Sequence, residues 1–404
     1  VKSTPESIVV AHNYYQQPGG EDHVFAAEAA LLEQAGHRVV RYEEHNARIA
    51  SRNAVFAAVD AVWSLKSAQS LAELVRLHKP DVVHLHNTFP LISPAAYYAA
   101  RKGGAAVVQT LHNFRLVCPG ATLFRDGMVC EECIQQRSLR PAMAHKCYRG
   151  SRPATAAVAL MLSVHRAART FQRQVDCYIA LSEFARRKFI AGGLPEDRIV
   201  VKPNFVSPDP GVGPGTGGYA LFVGRLSAEK GISLLASAWR ELGKIPLVVA
   251  GDGPLAGAEW PMGVSWIGSQ PREKILALMS EARVLIVPSE CYENGPLAAL
   301  EAFACGLPVI ASNLGSMAET VAHERTGLLF NPGEPADLAR KVRWAFEHPE
   351  ALVAMRVAAR REFEEKYTAE KNYKMLIGIY EKAMERARQR KHAAAGEREV
   401  FCER

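Results

Sequence analysis

Two carboxylates, Glu293 and Glu301, stand eight positions apart, with Asn294-Gly295-Pro296 directly after the first. The apolar run at 283–287 (RVLIV) reads as a buried strand, ended by Pro288-Ser289. Pro296 suits the first position of a helix, so the spacing predicts a helix over Leu297–Ala304. Glu293 then falls in the loop at the strand's carboxyl end, and Glu301 falls about two turns into the helix. Between them lie the unpaired backbone N–H groups of a helix N-terminus, a natural seat for a phosphate. A carboxylate beside such a seat is costly unless it grips something specific, and sugar hydroxyls are donors of the right kind. The chemistry this implies is that of a nucleotide-sugar site.

A second cluster sits in the same half of the chain. Gly224-Arg225-Leu226-Ser227-Ala228-Glu229-Lys230-Gly231 follows a strand and opens a helix. Gly224 permits a sharp turn, and Arg225 and Lys230 stand where two cations could clamp a diphosphate. Alone, the stretch reads as a helix start capped by Ser227 with Lys230 solvated. With Glu293 and the helix tip at Gly295 in the same sheet, the clamp is the better reading. Gly251-Asp252-Gly253-Pro254 reads as a tight turn after a strand. Trp266-Ile267-Gly268 ends another strand, where exposed backbone could meet a nucleobase edge.

The first half offers different groups. Gln17-Pro18-Gly19-Gly20-Glu21-Asp22 links the first strand to the first helix, and Gly19 and Gly20 let the backbone approach a sugar or phosphate. A full GxGxxG is missing, so an ordinary dinucleotide site is not supported. His84, His86 and His112 cluster at two strand ends. They could form a zinc triad, or His84 and His86 could be packed on one face of their strand. His112, at the cleft edge, is the functional choice. Four of the eight cysteines lie close together: Cys118, Cys130, Cys133 and Cys147. Their C-x-x-C pair suits tetrahedral zinc, a structural site that would pin the loop-rich stretch 114–150. The other reading is a set of unrelated thiols with a redox-sensitive C-x-x-C.

Strand and helix patterns alternate in two series, which predicts an α/β chain of two Rossmann-like, doubly wound parallel-sheet domains facing a cleft. The expected boundaries are 1–206 for the first domain, 207–218 for a Pro/Gly-rich linker and 219–366 for the second. A charged helix follows over 367–391, and a frayed tail is expected at 392–404. An apolar fraction of 48% and a charged fraction of 23% are those of an ordinary globular protein. No run of eighteen apolar residues occurs, and a strand pattern begins at Ser7, so a cytoplasmic location is the default expectation.

Residues 137–173 carry eight Lys or Arg residues and no acid, around the apolar run 154–164. This could rest on an anionic membrane surface, or it could be a buried helix with solvated basic ends. Nucleic acid is disfavoured because the region lacks interleaved aromatics.

Over nearly its whole length, from residue 8 to about 388, the chain resembles a retaining glycosyltransferase of the two-domain GT-B fold, family 4 (group 1). The Glu293-x7-Glu301 motif carries the resemblance, supported by GRLSAEKG at 224–231, GDGP at 251–254 and the glycine pair at Gly19-Gly20. No Asp-x-Asp metal motif stands at a strand end, which agrees with metal-independent catalysis. The resemblance implies that Arg225 and Lys230 bind the donor diphosphate, with Gly224 beside them. It gives Glu293 the donor-sugar hydroxyls and puts the backbone of Asn294, Gly295, Pro296 and Leu297 along sugar and phosphate. Glu301 would accept from the ribose, and Ile267 would meet the base. His112 would lie near the reacting carbon, and Gly19-Gly20 would close over it. The last helix would cross back onto the first domain.

The expected reaction moves a sugar from a UDP- or GDP-sugar to a glycan or polyprenyl-linked acceptor, in polysaccharide or glycolipid synthesis. A nucleotide-sugar-binding regulator and a GT-B-fold epimerase are the alternatives. A phosphorylase is disfavoured, because nothing suggests a pyridoxal lysine.

Overall fold

Short, uninterrupted apolar strands need cover on both faces, and the chain meets that need with two parallel sheets wrapped in helices. The computed structural model describes residues 4–16, 19–49, 53–257 and 259–402. Gln17 and Pro18 of the first-domain glycine loop lie outside the described residues.

The first domain contains β1 (Ser7–Tyr14), β2 (Arg38–His45), β3 (Val82–Leu85) and β4 (Ala106–Leu111). A small antiparallel hairpin, β5 (Phe124–Arg125) and β6 (Met128–Val129), precedes β7 (Cys177–Ala180) and β8 (Ile199–Val201). Its parallel order is β2-β1-β3-β4-β7-β8, so the winding reverses between β1 and β3. The second domain contains β9 (Ala220–Val223), β10 (Leu247–Ala250), β11 (Val264–Trp266), β12 (Val284–Val287), β13 (Val309–Ser312) and β14 (Gly327–Phe330). Its order, β11-β10-β9-β12-β13-β14, reverses between β9 and β12. Ligands of open α/β sheets bind at such reversals, outside the strands' carboxyl ends.

Period-two alternation decides which side chains enter which core. Val9, Ala11, Val83 and Leu85 face one layer with Tyr97 and Phe171. Ile8, Val10, Val82 and Val108 face the other, against Leu376, Ile379 and Tyr380. Those last three belong to the helix Ala369–Cys402, which crosses from the second domain onto the first. Each fully buried aliphatic side chain there contributes about 1.5–3 kcal/mol. The crossover is stitched at its start, where Val206 N–H donates to Tyr367 O over 3.0 Å.

Four sequence expectations differ from what is seen. The helix expected to open within GRLSAEKG is a 3-10 turn, Ala228–Lys230, and a separate helix, Ile232–Leu242, because Gly231 between them has φ 71°. The strand Ile199–Val201 was not expected, being too short to show a periodicity. The linker is fastened to the second domain rather than free. N–H groups of Gly213, Gly215 and Gly217 donate to the carbonyls of Cys305, Ser280 and Glu281. A Cβ on Gly213 would stand 2.3 Å from the Ser280 Cα and carbonyl oxygen, so glycine allows that approach. Finally, the last helix runs past the expected bound of 391 to Cys402, through an alanine run that favours helix.

Among the described residues no helix is long and apolar enough to cross a membrane. The basic-flanked apolar run lies in the helix Arg152–Ala167, which buries Val158, Met161 and Leu162 while Leu160 and Val164 stay exposed.

Candidate functional site

The loops after β9 and β12 flank the second domain's reversal, and glycine lets them touch. A Cβ on Gly231 would lie 1.9 Å from the Pro288 carbonyl oxygen. Glu229 O accepts from the N–H groups of Glu290 at 3.0 Å and Cys291 at 3.3 Å. This stitching brings Lys230 Nζ to 2.6 Å from Glu293 Oε1. Ser289 Oγ donates to the same oxygen at 2.5 Å, and Ser316 Oγ donates to the Glu293 carbonyl at 2.5 Å.

Burial pushes Glu293 up, but the Lys230 charge and the bonds from Lys230 and Ser289 outweigh it and hold the carboxyl below its ordinary value. Burial pulls Lys230 down, and the charge of Glu293 reverses that, raising the ammonium. The two are therefore an ion pair across the neutral range.

Arg225 is exposed at the end of β9 and, among the described residues, makes no ion pair, so its guanidinium is free for a ligand. Gly224 and Gly251 hold the turn below it. A Cβ on Gly251 would stand 1.8 Å from the Gly224 carbonyl oxygen, so GDGP serves as the floor on which GRLS rests. Ser227 does not cap a helix. Its Oγ is buried, makes no hydrogen bond, and lies in the same loop as both cations.

The helix Leu297–Ala304 begins at the domain boundary. Asn294 Nδ2 donates to Leu111 O at 2.5 Å, and Asn204 Nδ2 donates to Gly295 O at 3.1 Å, both across to the first domain. Gly295 leaves no room for a side chain, since its Cβ would meet Leu181 Cδ1 at 2.5 Å. Pro296 is the helix N-cap. From the other side comes the helix Gly20–Gln34, capped by Gly19, whose N–H is held by Asp22 Oδ2 at 2.8 Å. A Cβ on Gly20 would lie 4.0 Å from Leu297 Cβ. Two helix N-termini thus meet at the mouth of the cleft, each the positive end of a macrodipole.

Glu301, on the inner face of its helix, receives Arg272 Nε at 2.9 Å, while Arg272 Nη1 donates to Ser207 O at 2.9 Å. Burial raises Glu301, and Arg272 only partly offsets it. His23, reaching over from the first domain, is lowered by burial and by the Arg272 charge. Ile267 has both backbone groups engaged. Its N–H donates to Val249 O at 3.0 Å, and its carbonyl accepts from Gln270 Nε2 at 2.5 Å. A base there would use the second lone pair of the Ile267 carbonyl, since its N–H is taken by the sheet.

The first domain's reversal is filled by its own side chains. His112 Nε2 lies 2.9 Å from His86 Nδ1, and His86 Nε2 lies 3.3 Å from Glu28 Oε2. Lys202, wholly buried, pairs with Glu28. His84 is held between Tyr380 OH and Thr110 Oγ1, each at 2.8 Å. Burial and neighbouring histidines hold His112 and His84 well below the ordinary imidazole value, so both are neutral.

Glu28, His84 and His86 come close enough for a metal ion. The Lys202 ammonium already occupies the carboxylate, and both His84 nitrogens are engaged, so the group fits a closed polar core rather than a metal site. Nearby, burial pushes Glu21 up to about 8, despite bonds from Tyr15 and Asn113. Cys118, Cys130, Cys133 and Cys147 also come together, outside this cleft.

Sequence reasoning missed Arg272, Lys202, Asn204, Ser289 and Ser316. One signal was available. Arg272 opens a helix directly after Pro271, where the dipole disfavours a cation, so another partner must hold it there.

A family model described as a glycosyl transferase 4-like domain matches residues 8–204, and one described as glycosyl transferases group 1 matches residues 212–362. A 2-deoxystreptamine glucosyltransferase of Streptomyces kanamyceticus is 27% identical over 359 residues, 84% of this chain and 87% of that protein. Sucrose-phosphate synthase of Thermosynechococcus elongatus has a TM-score of 0.68 at 17% identity, covering 93% of this chain and 98% of that one. Anabaena HepE in complex with UDP gives 0.64 at 17% identity, covering 91% and 98%.

Proposed function

The chain belongs to the group 1 glycosyltransferases, of GT-B fold, and from that premise we propose that it moves a hexose from a UDP- or GDP-sugar to a glycan or polyprenyl-linked acceptor, with retained anomeric configuration and no catalytic metal. What supports this reading is that the Lys230–Glu293 pair and the exposed Arg225 stand in the loops after the neighbouring strands β9 and β12, with the tip of the helix Gly20–Gln34 set against Leu297.

A nucleoside diphosphate leaves poorly until its developing charge is met. Lys230, Arg225 and the N–H groups at Leu297 would meet it in place, without reorganising. Glu293 is held ionised and aimed by Lys230 and Ser289, which suits accepting bonds from donor-sugar hydroxyls. That tether also makes it a poor nucleophile, so departure and attack on one face of the sugar is the route consistent with retention. Glu301, positioned by Arg272, would take the ribose hydroxyls. His112, neutral, would stand over the reacting sugar, with Gly19-Gly20 closing above it. A uridine nucleotide is the first donor to try, given the UDP held by the HepE neighbour.

The acceptor side favours a membrane surface. The helix Ala54–Val62, packed on the helix Arg152–Ala167, leaves Val55 and Phe56 each 69% exposed, and the second helix exposes Leu160 and Val164. Arg152 at the start of that second helix, and Arg169 and Arg173 just beyond its end, are exposed too, a combination suited to anionic headgroups over an apolar margin. A cytoplasmic enzyme resting on the inner membrane face is the corresponding location.

The test has two arms. Thermal shift against UDP-, GDP- and ADP-sugars identifies the donor by mass action. Proton NMR of the product formed with an acceptor extract then reads the anomer. Retention is expected. An inverted product, or tight donor binding with neither transfer nor hydrolysis, would overturn the proposal.

A further inference from the structure

We propose that Cys118, Cys130, Cys133 and Cys147 hold one structural zinc ion as four thiolates. The four come from separate short elements: Cys118 follows the 3-10 turn Phe114–Leu116, Cys130 and Cys133 bracket the start of the helix Glu132–Gln135, and Cys147 follows the helix Arg140–His145. All four line a single small pocket of about 20 Å³, closed by Gly120 and Leu123. None is in a disulfide. The seam is closely packed, since a Cβ on Gly120 would lie 3.2 Å from Cys147 O.

The donor set is all sulfur, which narrows the metal to zinc or an iron–sulfur cluster. The space between the sulfurs holds a single ion, and the C-x-x-C pair has the spacing common to tetrahedral zinc sites. Sulfurs around zinc, each about 2.3 Å from the ion, stand about 3.8 Å apart. No three of these sulfurs lie mutually within 4.8 Å, so binding draws them inward onto the pocket.

The backbone gives an independent reason for a fastening here. Residues 114–150 contain only elements of two to six residues, yet hold Ala121, Leu123, Asp126, Arg137, Lys146 and Arg149 at positive φ. Each is an unfavourable conformation for an L-residue, kept only where the surroundings over-determine it.

The fastening has a consequence at the cleft. Glu131, between the paired cysteines, accepts from Lys188 Nζ at 2.5 Å and from Tyr292 OH at 2.7 Å, the latter across to the second domain. Tyr292 precedes Glu293 in the chain, so the zinc module braces the donor loop from the first-domain side.

Elemental analysis of the full chain, purified without chelator, is expected to show one zinc per chain. Cys130→Ser and Cys133→Ser should lose the metal, while Cys305→Ala, outside the cluster, should keep it. Cobalt substitution of the wild-type chain should add thiolate charge-transfer and strong visible bands of a tetrahedral site. That readout does not depend on any variant folding or on any activity. Four free, titratable thiols with no bound metal, a disulfide among them in mass spectra, or iron with labile sulfide would each overturn the proposal.

Discussion

The two domains place a reversal of winding opposite each other and use it in opposite ways. At the second, between β9 and β12, charged groups stand at the surface of the crevice and are only partly spent on one another. Lys230 and Glu293 are paired, but Arg225 is free and Ser227 Oγ has no partner. At the first, between β1 and β3, Glu28, Lys202, His84 and His86 are buried together, with Lys202 on one Glu28 oxygen, His84 held by Tyr380 and Thr110, and the other Glu28 oxygen 3.3 Å from His86 Nε2. The same topology therefore yields a binding surface on one side and a polar keystone on the other. Pre-organisation of the crevice depends on the keystone, because His112 leans on His86 and Leu111 carries Asn294.

The difference can be broken by exchanging the expected phenotypes. Lys230→Ala and Arg225→Ala should each lower kcat/KM by about two to four powers of ten, the loss typical of a removed transition-state charge partner. Lys202→Ala should instead strand the Glu28 carboxylate in the core and cost about 3–5 kcal/mol of stability, seen as a lowered Tm. If Lys202→Ala leaves Tm unchanged, or Lys230→Ala lowers Tm while sparing turnover, the contrast fails.

Gly295→Ala tests the joint between the sides, since its new Cβ would press on Leu181 and Asn204. It should cost up to about 10²-fold in kcat through misplacement of the donor loop, and lower Tm by the amount an overpacked contact of about 1–3 kcal/mol implies. Normal turnover would mean the domains do not need that contact.

The smallest effect concerns Glu21. Its folded pKa, about 8, lies above the ordinary 4.5, so folding takes up a proton between those values. Stability should fall as pH rises through that window. Glu21→Gln should flatten this part of the Tm profile, and an unchanged slope would assign it to another group.

Legibility divides along the same line. The second crevice is written in contiguous stretches, so Glu293, Glu301, Arg225 and Lys230 could be read together, and the predicted helix Leu297–Ala304 has the same bounds in the structure. The keystone draws on Glu28, His84, Thr110, Lys202 and Tyr380, scattered from one end of the chain to the other. No local period links them. Only the tertiary return of the last helix brings Tyr380 to His84. Likewise Arg272 owes its place to Glu301 and Ser207, neither near it in sequence. The helix start read at GRLSAEKG is split for a local reason: the close approach of Pro288 requires a left-handed backbone at Gly231.

The central claim is that side chains and helix tips, rather than a divalent cation, neutralise the departing diphosphate. Initial transfer rates with the identified donor, measured in buffer stripped of divalent ions and again with added magnesium or manganese, test it most directly. The account predicts the same rate in both. A rate absent without divalent ions and restored by either one would contradict it.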